Sequence, residues 1–367
     1  MMNMGKSEAQ KPIIGISMGD PFGNGPEITV KALAGETIWK CCRPIVVGDA
    51  SCLRYASKIA EKVSNIHVDI HPVSQVTEAE FTPGVIDVID MKLVNPGDIP
   101  DYSGKVHPEA FHIGPSVLGG EAAFQYVVKL IQLAQEHRVD GTVTNAISKE
   151  AINMAGHHYS GHTEIYAEYT NTKKYAMMLA HNDFRVVHVS THVSLREACD
   201  RVKKERVLEV IKMANQACRD LGIPSPRVAV AGLNPHCGEN GLFGREEIEE
   251  ISPAVQAAQE EGIHAIGPIP PDSVFSEALG GWYDIVVCMY HDQGHIPIKT
   301  VGFVFDREKN KWKAVEGVNI TLGLPIIRVS VDHGTGYALA GTGTSNELSL
   351  VNAIQYAASL STTKRNV

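Results

Sequence analysis

Short apolar runs alternate with longer stretches of helical periodicity along nearly the whole chain, and this alternation limits the fold more than any other feature. "PIIGISM" reads as a strand that closes in the Gly-rich turn "GDPFGNGPE". Pro26 and Glu27 then suit a helix's first turn, where a missing N–H costs nothing and a carboxylate meets the positive dipole end. "CRPIVVGDA" is a second strand, followed by the helical "SCLRYASKIAEKV". "GPSVLGGEAAFQYVVKLIQLAQEHR" spaces its apolar residues by three and four, and it feeds the strand "VDGTVTNA". Next come "RVVHVSTH", a helix opening at Ser194 with a capping box to Glu197, "RVAVAGLNPH", the helical "REEIEEISPAVQAAQEEG" and "YDIVVCMYH". Strand followed by helix, repeated in this way, predicts an α/β fold with a mostly parallel sheet covered on both faces.

The length of 367 residues favours two lobes. One stretch, 302–317, carries a charged turn between two β-prone pieces and predicts a hairpin excursion. Residues 1 to 11 read as a loose tail, and the terminal "STTKRNV" as a frayed end.

Lys and Arg total 33 against 42 Asp and Glu, a formal charge of -9, which argues against nucleic acid or an anionic membrane as the main partner. An anionic small molecule stays open, since a few local cations can hold one. The seven cysteines form no CxxC pair, which predicts reduced thiols in a cytoplasmic protein. There is no apolar signal segment at the start and no run of membrane-spanning length, so neither secretion nor membrane insertion is expected.

Three buried-type strands each run into a histidine: "RVVHVSTH" to His192, "RVAVAGLNPH" to His236 and "DIVVCMYH" to His291. Ligand crevices of open parallel sheets lie off the carboxyl ends of the strands, so three imidazoles delivered there can converge. Neutral imidazole suits Zn²⁺, Co²⁺ or a similar ion, and three protein ligands leave positions open for substrate or water. A lone histidine at a strand end is ordinarily just a satisfied polar residue; the reading rests on three equivalent positions. His188, inside one of these strands, reads as a core histidine, and His157 and His158 as loop residues.

A further polar cluster lies in "TNAISKEAINMAGHHYSGHTEIY", where Lys149 follows a strand and "SGHTE" sets His162 and Thr163 at the start of a helix. Free N–H groups at such a start can hold an anion, although Thr163 could equally serve as a cap. Arg328 lies within "PIIRVSV", where a guanidinium needs a partner: a bound phosphate or carboxylate, or an acidic side chain. The glycines of "GDPFGNGPE" do not spell a dinucleotide fingerprint and read as a tight strand-to-helix turn.

"GDPFGNGPE", "SGHTE", "STH", "GLNPHCGENGLFG", "MYHDQGHIPIK" and "GVNITLGLPIIRVSVDHGTG" occur in that order, and together they resemble the 4-hydroxythreonine-4-phosphate dehydrogenase family. The resemblance runs from about residue 12 to about 355. It implies a two-lobed α/β/α fold similar to isocitrate and isopropylmalate dehydrogenases, with lobes near 1–140 plus 305–367 and 141–304. It also implies NAD as cofactor, a divalent metal (Zn, Co or Mg), and a homodimer that shares its active site. The metal ligands carry over to His192, His236 and His291, with His291 donated by the partner subunit. Substrate contacts carry over to His162, Thr163, Lys299, Asn319 and Arg328. Asp272 falls at a cofactor-side acidic position, and Asp292, His162 and Lys299 are the catalytic candidates.

Departures from the family pattern occur at Phe22-Gly23-Asn24, at Ala146, at Cys237 and in the 302–317 insert. "HHYSGHTEIY" and "STHVSLREACDRVKKERV" lean toward the branch acting on 4-phospho-D-threonate or 4-phospho-D-erythronate. The implied reaction is oxidation of the 3-hydroxyl of a 4-phosphorylated four-carbon acid, followed by decarboxylation. A three-histidine metal hydrolase of a phosphorylated metabolite is the rival from another class.

Overall fold

A computed structural model describes residues 11–95, 98, 114–302, 305–307, 311–312 and 317–365. Of the tail expected at 1–11, residues 1–10 lie outside the described residues, as does much of the 302–317 insert, while Lys11 is held by its Nζ donating to Trp39 O at 2.7 Å. In chain order the first elements are β1 (Ile13–Ser17), α1 (Gly25–Ala34), α2 (Glu36–Cys41), β2 (Arg43–Gly48), α3 (Ala50–Ser64), β3 (Asp69–Val73) and β4 (Val85–Asp90). Then come α4 (Val117–Gln135), β5 (Gly141–Thr144), α5 (Lys149–Met154) and α6 (His162–Tyr169). The chain continues through β6 (Ala176–His181), β7 (Phe184–His188), α7 (Leu195–Asp200), α8 (Lys204–Asp220), β8 (Val228–Ala231), α9 (Ser252–Glu260) and β9 (Ala265–Ile269). It ends with α10 (Val274–Leu279), β10 (Ile285–Cys288), α11 (His291–Gly302), β11 (Phe305–Asp306), β12 (Lys311–Trp312), β13 (Val318–Leu322), β14 (Arg328–Val331) and α12 (Leu348–Arg365).

Two compact units result, Met1–Lys173 with Leu324–Val367, and Lys174–Gly323. Their boundaries differ from the 140 and 305 suggested by sequence, because β5 hydrogen-bonds between β1 and β14 and so holds 141–173 in the first unit. In that unit the strand order is β3-β4-β2-β1-β5-β14, and the pairings between them are parallel. The inner strands are buried along almost their whole length, as expected of a parallel sheet with helices on both faces. β3, by contrast, is half exposed and carries Pro72, which an edge strand tolerates. Phe124, Val127 and Ile131 of α4 pack with Ile152, Ile165, Tyr166 and Leu324.

The second unit orders its strands β13-β6-β7-β10-β8-β9. β7, β10, β8 and β9 are parallel, while β6 pairs antiparallel with both β7 and β13. The β6–β7 hairpin was not read from sequence, although Asn182 at φ 52° in its two-residue turn is the expected signal. β11 and β12 pair antiparallel, as the hairpin reading of the insert expects.

The C-terminal segment read as frayed is helical as far as Arg365. Ala357, Ala358, Leu360 and Ser361 are buried, and Ser361 Oγ donates to the Ala357 carbonyl at 2.7 Å. Among the described residues no helix is long and apolar enough to cross a membrane, and the seven cysteines are free thiols.

Candidate active site

In the first unit Arg328, at the start of β14, reaches toward the end of β5, after which α5 and α6 carry Lys149, His162 and Thr163. Arg328, 3% exposed, sits opposite Thr142 in the β14–β5 register. Its Nη2 donates to Thr144 Oγ1 at 3.2 Å, and the guanidinium lies 5.7 Å from the Tyr166 ring centroid, within cation–π range. Tyr166 is itself fixed by its hydroxyl donating to Thr142 Oγ1 at 3.1 Å. Burial pulls the Arg328 pKa down to about 10, so this cation gains from any anion brought to it.

His162 is the first residue of α6, after Gly161, and Lys149 runs alongside that glycine. Desolvation first and the Arg328 charge second hold His162 well below the usual histidine range, so it is neutral. Its ring donates to the Asn145 carbonyl, and Nε2 has no hydrogen-bond partner among the described residues. A neutral imidazole used in this way keeps its Nε2 lone pair available to a donor such as a hydroxyl. Thr163 is buried beside it.

Sequence reading missed much of this edge. The turn after β1 is stitched to two other loops: Asp20 N–H donates to Ala146 O at 3.1 Å, and Asn24 N–H to Thr335 O at 2.8 Å. Tyr337 Oη donates to Asp20 Oδ2 at 2.6 Å. Glu27, read as a dipole partner, instead accepts from the Gly341 and Gly343 amides. Ser17 Oγ, Asn24 Oδ1, Asn145 Oδ1, His333 Nε2 and Ser345 Oγ are buried with no hydrogen-bond partner among the described residues. Such a concentration of unmet polar atoms marks a place built for a polar ligand. "DHGTG" after β14 was the available signal.

The second unit holds the histidines. His291 opens α11 three residues past β10, and its ring centroid is 5.7 Å from that of His192. Two imidazoles that share one cation through Zn–N bonds of about 2.0–2.1 Å have centroids at roughly this separation, so the pair fits a metal. Asp292 Oδ1 accepts from His291 Nδ1 at 2.7 Å, which leaves Nε2 as the free ligand atom. The resemblance assigns His291 to a partner subunit, whereas in this single chain it already lies beside His192.

His236 stands in an exposed turn, 235–241, and among the described residues no group of three His, Cys, Asp or Glu side chains is placed to hold a metal. From His236 to Asn240 every residue has positive φ, a left-handed run with four non-glycine members. Each costs on the order of 1–2 kcal/mol, and such strain persists only where neighbours impose it. Buried Glu247 supplies the restraint, accepting from Leu233 N–H and Asn234 N–H at 2.7 Å each and from Asn234 Nδ2 at 2.9 Å. Gln293 joins this loop to α11, with Nε2 donating to Gly232 O at 2.7 Å and Oε1 accepting from Met289 N–H at 2.6 Å. Exposed Asp272 lies within electrostatic reach of Cys237.

Lys299 is half-buried on α11, at the same helical spacing from His295 as His295 is from His291. Asn319 is half-buried on β13, opposite Leu179 of β6. His188, read as a core residue, is buried as expected. Desolvation lowers it to about 4 and the adjacent His295 to about 3. His295 and Glu247 were not singled out from sequence, although the spacing of the two histidines in "HDQGH" places them on one helix face.

A buried guanidinium and a neutral histidine at a helix start in one unit, and a histidine pair past a strand end in the other, suit small-molecule chemistry. The chain is 43% identical over 97% of its length, and 100% of the relative's, to a protein of Oceanobacillus iheyensis named "Putative D-threonate 4-phosphate dehydrogenase". Among solved structures, 4-hydroxythreonine-4-phosphate dehydrogenase of Klebsiella pneumoniae superposes with a TM-score of 0.80 at 40% identity, covering 96% of this chain and 98% of that one. The Burkholderia phymatum enzyme of the same name gives 0.79 at 39% identity, covering 95% and 98%. These dehydrogenase relatives make the chain an oxidoreductase. It belongs to the family of pyridoxal phosphate biosynthetic protein PdxA, whose pattern it matches over residues 40–357.

Proposed function

We propose that the protein oxidises the 3-hydroxyl of a 4-phosphorylated four-carbon acid, 4-phospho-D-threonate or 4-phospho-D-erythronate ahead of 4-phosphohydroxy-L-threonine, and that the product loses CO₂. The observation that carries this reading is the buried Arg328 guanidinium beside neutral His162, in a chain whose relative is named for D-threonate 4-phosphate. A cation that grips an anion and a neutral imidazole that can accept a hydrogen bond from a hydroxyl suit a phosphorylated alcohol as substrate.

Arg328 and the start of α6 at Thr163 would bind the phosphate or carboxylate and so help to fix carbon 3, and Lys299 and Asn319 are the second unit's own candidates for substrate contact. His162 Nε2 is placed to accept a hydrogen bond from the hydroxyl, while the burial and Arg328 charge that keep it neutral weaken it as a base, so Asp292 stands beside it as a candidate proton acceptor. His192 and His291 would hold a divalent cation, with His236, which this chain does not bring to the pair, as the third candidate ligand; the cation would supply Lewis acidity toward the hydroxyl. NAD, when bound, would supply the hydride acceptor. The unmet polar atoms at the ends of β1, β5 and β14 are the first unit's candidates for contacting it, and Asp272 is the second unit's. The working form in this reading is a cytoplasmic homodimer.

The deciding experiment supplies NAD⁺ and Zn²⁺, Co²⁺ or Mg²⁺ with each of the three substrates, and follows NADH and CO₂. NADH formed fastest from a 4-phospho sugar acid supports the proposal. Phosphate released without NADH from any of them would replace it with the hydrolase.

A further inference from the structure

We propose that His295 and His188 are positioning residues that hold the His291 imidazole in the plane and orientation needed to bind a divalent cation. The inference rests on the reading of His192 and His291 as metal ligands. It concerns what lies behind His291.

One turn of α11 separates His291 from His295, and their rings stack with centroids 3.5 Å apart and planes 10° from parallel. A stack this close allows His291 little rotation about its side-chain bonds. His295 is itself held on its far side. His188 Nδ1 lies 3.0 Å from the Met177 carbonyl, which can only accept, so the proton is on Nδ1 and the lone pair on Nε2. That Nε2 lies 3.2 Å from His295 Nδ1, which must therefore donate, sharing its proton with the His291 carbonyl at 3.0 Å. One strand carbonyl thus sets both tautomers in series.

The close approach of helix to strand depends on Gly294, where an added Cβ would stand 2.5 Å from His188 Nε2 and 2.9 Å from Cys288 Sγ. Asp292 fixes His291 from its other side through Nδ1. The stack therefore sets the ring plane, the carboxylate sets the tautomer, and Nε2 is presented in one direction. Metal ligands held this way bind about 10–100-fold more tightly than unsupported ones.

The test uses the purified full-length chain and Co²⁺ alone, reading affinity by calorimetry and ligand geometry by the cobalt d–d spectrum. His295→Ala, which removes the stack and the bond, is expected to weaken Co²⁺ about 10–100-fold and to alter the spectrum. His295→Phe keeps the stack and loses only the bond to His188; a smaller loss is expected. A purely structural residue would move the melting temperature and leave the cobalt spectrum of the folded protein unchanged. Wild-type affinity and spectrum in folded His295→Ala would overturn the proposal. Should that variant not fold, wild-type values in His295→Phe would overturn the role of His188. Failure of the underlying reading looks different: the unsubstituted chain and His291→Ala would then bind Co²⁺ equally, or neither would bind.

Discussion

Replacing Glu247 tests how the left-handed turn at His236 is maintained. The carboxylate is 2% exposed and accepts two backbone N–H groups on Oε1 and the Asn234 amide on Oε2. Hydrogen bonds to a charged acceptor contribute about 1.5–3 kcal/mol each, and water can replace part of this because Leu233 and Asn234 are half-buried. Glu247→Ala is therefore expected to cost about 3–5 kcal/mol. It also releases four non-glycine residues whose left-handed backbone is unfavourable by itself. Glu247→Gln keeps a carbonyl oxygen for the backbone pair and loses the second acceptor, so its cost is about 1–2 kcal/mol. Urea unfolding followed by circular dichroism measures both costs, and amide exchange at 233–241 shows whether the turn opens locally. If Ala and Gln both lie within about 0.5 kcal/mol of wild type, the turn is not held by this carboxylate and the argument fails.

Three further outcomes are expected. His236→Ala should lose bound metal and turnover together while circular dichroism stays native; full activity without metal would end the ligand assignment. Arg328→Ala should raise KM for the phosphorylated substrate by about 10- to 150-fold, the equivalent of one charge-assisted contact, with Arg328→Lys between it and wild type. Stability should fall with acid. His188 has a folded pKa of about 4 against an ordinary 6.5, so its contribution is complete above pH 6.5 and disappears as pH drops toward 4. The loss is about 3 kcal/mol, and His188→Gln should flatten the urea midpoint across that window.

Period and punctuation made the strand–helix alternation legible, because burial on both faces of a parallel strand leaves a continuous apolar run. Examples are "IIGIS" and "IVVC", buried over all or nearly all of their length. The Ser194 cap was readable as well, though only half of it formed: Ser194 Oγ accepts from the Glu197 amide, while the Glu197 carboxylate pairs with Arg201. The antiparallel β6 was missed, because "AMMLAH" carries no alternation and its partners were outside its own window.

Local sequence by itself determined which residues could do chemistry: histidines at strand ends, an arginine inside a strand, glycines at tight turns. Those properties depend on neighbours a few residues away. Whether His291 meets His192, whether Arg328 rests on Thr144 and Tyr166, and whether Glu247 clamps Asn234 at the entry to the 235–241 turn were decided only by tertiary structure. Each of those contacts joins distant segments, and its strength depends on burial and orientation, which no short window encodes.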